Sequence, residues 1–230
     1  MKKFQKIFLA ALITFLVLFM SSCFDNKSDS TDTNEETTSQ NISAPETEGD
    51  GKPKSSKPAK TLTDEEKAVK IINSYVNAAK KLDFDEMSKY ISDNNSLPIL
   101  DSYTDAYARY SVSDERIQEL CKARLSTYQI TPLSVSKNGN SFVVKTNISM
   151  VNMDSLENRW MEVLCDRYPE YTSLSSDEMT PEVVDVLIQT MIDVLKEAET
   201  SIEVQKDFVL QKNESSWIIN AKNEDFFPSN

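Results

Sequence analysis

The chain has 230 residues and a formal charge of −12, with 37 acidic against 25 basic side chains, which argues against nucleic acid as a partner because like charges repel. It contains no histidine, the commonest general base and metal ligand near neutral pH, and its three glycines are too few for a glycine-rich phosphate loop. The three cysteines form no Cys-x-x-Cys pair, so we predict no metal site, no cofactor and no catalytic residues.

The first 22 residues have the pattern of an export signal. Three lysines precede an uncharged, mostly apolar run over residues 7–20, and two serines then lead to Cys23. A membrane-spanning helix needs about 20 apolar residues, and this run is shorter, so an uncleaved anchor is the weaker interpretation. We therefore predict a cleaved signal peptide over residues 1–22.

The four residues Met20-Ser21-Ser22-Cys23 resemble the bacterial lipobox, in which small residues precede a cysteine that is lipid-modified and becomes the first residue of the mature chain. Met20 departs from the usual pattern, where leucine is commonest. The resemblance implies a lipoprotein anchored through Cys23 by two acyl chains, palmitate among them, on the extracytoplasmic face of the cell membrane. The alternative is an ordinary secreted protein with a cysteine near its cleavage site.

Residues 24–60 are rich in Ser, Thr, Asn, Asp, Glu, Lys and Pro, and Phe24 is their only aromatic residue. Such a segment cannot bury enough apolar surface to offset its chain entropy, so we predict that lipidated Cys23 is followed by a disordered tether up to residue 60. As a flexible coil of about 37 residues it spans roughly 30–40 Å. Residues 61–230 then suffice for one domain.

The first part of this domain carries helix signals. Residues 63–66, Thr-Asp-Glu-Glu, form a capping box that opens a helix with apolar residues at helical spacing. Asp83 repeats the cap before a short second helix, and residues 98–110 and 113–126 read as two further helical segments.

Strand signals follow, interrupted by a helical block. Residues 128–150 alternate apolar and polar side chains around Asn138-Gly139, which indicates a hairpin, and residues 202–219 form a second hairpin. Between them, residues 154–199 have a helical pattern, with Thr180-Pro181 as a helix start. We predict an α+β fold: N-terminal helices packed on a curved antiparallel sheet of about four strands, with a helical insertion at residues 154–199 between the hairpins.

This order of elements resembles the cone-shaped superfamily named after nuclear transport factor two, and in particular its lipoprotein members. The resemblance rests on residues 68–91, AVKIINSYVNAAKKLDFDEMSKYI, and on the closing hairpin with its Trp217-Ile218-Ile219 strand, and it covers residues 63–227. It implies a curled sheet that wraps over helices and leaves a cavity, which some members use for catalysis and many use for binding or assembly. The alternative is a cavity filled by long apolar side chains.

Tyr103, Tyr107 and Tyr110 form one stripe of their predicted helix, with Asp101 and Asp105 close in sequence. Phenols that face a cavity would bind a sugar or polarise a carbonyl, and an aspartate beside them would move a proton, as in isomerases of that superfamily. We therefore take the three tyrosines as candidates for lining a ligand cavity. The alternative is an aromatic stripe that packs in the core with its hydroxyls reaching water.

With Cys23 lipidated, Cys121 and Cys165 remain as a pair outside the cytoplasm, where thiols are exposed to oxidation. Cys121 falls on the apolar face of its helix, whereas Cys165 points away from the apolar stripe of its own. A disulfide between them would close a loop of about 44 residues and contribute up to a few kcal/mol. It requires Cα atoms within about 7 Å, which sequence does not determine, so both states stay open.

Two classes of function fit these observations. The favoured class is a non-catalytic lipoprotein that binds a small ligand or another protein at the cell envelope, because no nucleophile, metal cluster or histidine dyad is visible. The second is a small-molecule enzyme of the isomerase, dehydratase or cyclase type that uses Tyr and Asp residues. A carboxylate buried beside one of the three tyrosines would favour the enzyme, since a solvated carboxylate makes a poor base.

Overall fold

The computed structural model describes residues 62–91, 97–213 and 216–228. The predicted signal peptide, the predicted lipidation site Cys23 and the predicted tether lie outside these residues. Within them the chain forms seven α-helices and one four-stranded antiparallel sheet, with helices packed against the sheet. The predicted α+β fold class is confirmed.

Four helices precede the sheet: α1 (Asp64–Lys81), α2 (Phe84–Met87), α3 (Pro98–Tyr107), which a 3-10 turn extends, and α4 (Asp114–Ser126). The predicted capping box begins α1, because Thr63 Oγ1 accepts from the Glu66 backbone N–H and Glu66 Oε2 accepts from the Thr63 backbone N–H. α1 packs on the sheet through buried residues at helical spacing, and α4 packs on α1 and α3. Among the described residues, no helix has the length and apolarity of a bilayer span.

The sheet has the strand order β1 (Gln129–Asn138), β2 (Ser141–Met150), β3 (Ile202–Asn213) and β4 (Ser216–Asn220). Gly139 has a φ of 59° in the β1–β2 turn, a left-handed conformation that glycine adopts without steric cost. Alternate residues of β2 face the core: Phe142, Val144, Thr146, Ile148 and Met150. A bulge between Pro132 and Ser134 shifts the register of β1, and Leu133 is exposed there although it continues the apolar pattern of the sequence.

Two helices connect β2 to β3, where the sequence predicts the helical insertion: α5 (Met153–Arg167) and α6 (Pro181–Glu197). Thr180 Oγ1 caps α6 by accepting from the Val183 backbone N–H. α6 packs against both α4 and α5, and Trp160 Nε1 of α5 donates to the Leu187 carbonyl. Helix α4 therefore lies between α1, which covers the sheet, and the inserted helix α6.

A short C-terminal helix, α7 (Asn223–Phe226), fills the space between α1 and the sheet. The ring of Phe226 is fully buried, stacks on Phe208 of β3 with 3.8 Å between ring centroids, and lies 4.5 Å from the ring centroid of Tyr75 of α1. Tyr75 Oη donates to Oδ1 of the buried Asn223, so the polar side chain beneath α1 is hydrogen-bonded. Aromatic side chains thus fill the inner face of the sheet at this end.

We expect Phe226→Ala to lower the free energy of unfolding by about 3–5 kcal/mol, because it leaves a cavity where three elements meet. Urea denaturation measures the change. Leu133→Ala, which truncates an exposed side chain of β1, is the matched control and should change stability by less than about 0.5 kcal/mol. Equal effects of the two substitutions would contradict the packing role of α7.

Candidate functional site

The structure places the tyrosine stripe and its neighbouring carboxylates on different sides of α3. Tyr103 and Tyr107 are 5% and 7% exposed, and Tyr110 is half-buried. Asp101 and Asp105 are exposed, because residues two positions apart on a helix lie about 200° apart around its axis. Neither aspartate is therefore buried beside a phenol of the stripe.

Burial also makes the two inner phenols weaker acids. It raises the pKa of both Tyr103 and Tyr107 well above that of a solvated phenol, and for Tyr103 the nearby Arg124 charge opposes this effect only in part. Both side chains are therefore neutral near pH 7. In that state they donate and accept hydrogen bonds, but they do not act as anionic bases.

Helix α4 contributes a buried cation, which contacts a third tyrosine, Tyr128. Arg124, in the last turn of α4, is 4% exposed, and its guanidinium carbon lies 5.2 Å from the ring centroid of Tyr128. Arg124 Nη2 donates to Tyr128 Oη at 3.3 Å, and Tyr128 Oη in turn donates to the Pro228 carbonyl at 2.7 Å. Within the described part of the chain, Arg124 Nη1 is buried without a hydrogen-bond partner.

We call Tyr103, Cys121, Arg124 and Tyr128 the arginine–tyrosine cluster. Tyr103 belongs to α3, which packs on α4, the helix of Cys121 and Arg124, and the charges of these two groups affect the pKa of the Tyr103 phenol. The sequence prediction included Tyr103 but not Arg124 or Tyr128 as site residues. The missed signal is an arginine on the apolar face of a helix, followed four positions later by a tyrosine, a spacing that lets the two side chains meet.

The two remaining cysteines differ in environment. Cys121 is fully buried, and burial, with a smaller contribution from the Asp101 charge, raises the pKa of its thiol to about 12. Cys165 on α5 is exposed, as its position on the helix predicts. Both are free thiols in the structure, so the Cys121–Cys165 disulfide is not formed there and stays a prediction for the oxidised protein.

Other features of the described residues add no chemistry to this cluster. No group of three or more His, Cys, Asp and Glu side chains among them is placed to hold a metal ion. One surface groove of about 320 Å³ includes Lys70, Tyr90 and Trp217 in its lining. A second groove, of about 250 Å³, lies between α5 and the end of α6. None of the three predicted cavity tyrosines lines either groove.

No protein-family model matches the chain, and no curated protein matches it. Among solved structures, the chain is similar to a "putative lipoprotein (ycdA)" from Bacillus subtilis, with a TM-score of 0.45 and 16% sequence identity. The match covers 66% of this chain and 51% of that one, so this chain spans about half the length of the matched protein. A likeness at this TM-score carries no argument about function, and membership of the cone-shaped superfamily stays a prediction.

The two thiols should differ in reactivity. In the native protein near neutral pH we expect a maleimide to label Cys165 and to spare Cys121, because Cys121 is buried and protonated. Mass spectrometry after labelling identifies the modified residue. Labelling of the denatured, unreduced protein then tests the disulfide: two free thiols exclude the bridge, whereas none, with a crosslinked peptide, establishes it.

The raised pKa of Cys121 also predicts a loss of stability at alkaline pH. The pKa of the thiol is about 12 in the folded state and about 8.5 in the unfolded state. The protonated thiol therefore contributes fully to the free energy of unfolding below pH about 8.5, and this contribution is lost as the pH rises from the lower to the higher value. Between pH about 8.5 and 10, Cys121→Ala should remove a slope of up to about 1.4 kcal/mol per pH unit. Cys165→Ala is the control, and an unchanged slope in Cys121→Ala would count against this assignment.

Proposed function

We propose that the protein is a lipoprotein anchored through Cys23 on the extracytoplasmic face of the cell membrane, where its domain binds a small ligand or an envelope protein without catalysis. The observation that supports the anchor is the position of Cys23, two serines after the apolar run of an export signal. Two acyl chains on this cysteine would hold the protein stably, whereas one chain binds a bilayer only marginally.

The arrangement of the arginine–tyrosine cluster supports a binding role over a catalytic one. An isomerase, dehydratase or cyclase that uses Tyr and Asp needs a carboxylate poised beside a phenol and shielded from water. Asp101 and Asp105 are instead solvent-exposed, while the phenols of Tyr103 and Tyr107 are buried and neutral. A buried cation with an unsatisfied N–H is suited to holding a ligand and has no base with which to transfer a proton.

Replacement of Cys23 tests the anchor. In cells fed labelled palmitate we expect the wild type to incorporate label and to appear at its processed mass, and Cys23→Ala to remain unlabelled and unprocessed. Acylation and processing are the readouts, because an uncleaved signal retains its apolar run and can itself hold the chain at the membrane. Cys165→Ala, which removes an exposed thiol far along the chain, is the control and should behave like the wild type. Labelled Cys23→Ala would overturn the proposal.

A further inference from the structure

We propose that Arg124 binds the carboxylate group of a small organic acid within the arginine–tyrosine cluster. This inference rests on the binding role proposed above and names the class of ligand. It starts from a charge imbalance. Arg124 is 4% exposed, and among the described residues no carboxylate forms an ion pair with it.

The neutral contacts of Arg124 do not compensate its charge. Removing a guanidinium from water without a counter-charge costs free energy, and a single cation–π contact with a single hydrogen bond recovers only part of this cost. Those two contacts, both with Tyr128, are the ones that the structure shows. A buried polar atom without a partner calls for an explanation such as a bound ion or ligand, and Nη1 is that atom here. Among the described residues, Arg124 therefore has no negatively charged partner, since the Asp101 carboxylate, whose charge reaches Cys121, is solvent-exposed and forms no ion pair with it.

The geometry of the donors favours a carboxylate. Tyr128 Oη gives its proton to the Pro228 carbonyl, so towards Arg124 it acts only as an acceptor and keeps Nη2 in place. The unpaired Nη1 belongs to the same rigid, planar fork, which suits carboxylate oxygens. Tyr103, which is neutral and lies on the helix that packs against α4, carries the second hydroxyl of the cluster. Because Arg124 is so deeply buried, the ligand must be small, of the size of formate or acetate.

Formate is the probe for this site, used with the full chain. We expect the Tm of the wild type to rise saturably with sodium formate, relative to sodium chloride at equal ionic strength, by about 5–10 °C at a hundredfold excess over Kd. Arg124→Met, which keeps the length and loses the charge, should lose this rise. Arg116→Met is the matched control on the same helix, since Arg116 pairs with Asp185 at the surface, and it should keep the rise.

Two further measurements keep the test decisive. If Arg124→Met does not fold, an NMR titration of ¹³C-formate replaces the Tm measurement. It compares the wild type with Arg124→Lys, which keeps the charge but loses the planar fork of the guanidinium. We expect saturable line broadening with the wild type and at least a tenfold weaker effect with Arg124→Lys. No formate response in the wild type, or an equal response in the Arg124 variants, overturns the proposal.

A side chain of this protein is the alternative source of the missing charge. Asp93, the acidic residue of the gap at residues 92–96 before α3, lies outside the described residues and is included in the test. If the wild type does not respond to formate and Asp93→Asn does, the counter-charge is the Asp93 carboxylate. That result would overturn the proposal of a carboxylate ligand. Acylation at Cys23 is measured separately, so a failed anchor with an intact formate response, or the reverse, shows which proposal is wrong.

Discussion

The stacking of Phe226 on Phe208 is the contact on which the arrangement of this domain depends. A sheet with one apolar face must bury that face, and α1 covers only part of it. The remaining space is filled by α7, whose Phe226 lies between β3 and Tyr75 of α1. The hydrogen bond from Tyr75 to Asn223 makes this contact specific, because it satisfies a polar group that burial would otherwise leave unpaired.

The arginine–tyrosine cluster follows from the position of α7. Once α7 is docked, Phe227 packs edge-on against the ring of Tyr128, and the Pro228 carbonyl meets the hydroxyl of the same residue. This contact takes the phenol proton, so Tyr128 presents a lone pair to Arg124 and holds one nitrogen of the guanidinium. The other nitrogen, Nη1, has no hydrogen-bond partner among the described residues.

Local chemistry explains which parts of this fold the sequence predicts. The caps at Thr63 and Thr180 and the turn at Gly139 depend on neighbours a few residues away, and the structure has all three. Helix α7 has four residues, too few for a periodic pattern, and its role comes only from tertiary contacts. The β1 bulge that exposes Leu133 also escapes a strictly alternating pattern.

The sequence also predicts the candidate site only in part, because some of its features are local and others depend on tertiary contacts. Helical spacing correctly places Tyr103 and Tyr107 on one face of α3, but periodicity cannot say whether that face borders open space or packed side chains. The structure buries both residues and adds the buried Arg124, which hydropathy patterns count as a surface residue.

The position of the cluster would link ligand binding to the stability of the fold. Its members belong to α3, α4 and the residue directly before β1, and Tyr128 joins them to Pro228, which follows α7. A carboxylate on Arg124 would relieve the cost of burying that charge, and it would do so only in the folded state, where these segments meet. Occupancy of the proposed site would therefore strengthen contacts between segments far apart in sequence. This coupling needs no catalytic group and no fixed orientation towards a membrane, so it is compatible with the tether that the sequence predicts for residues 24–60.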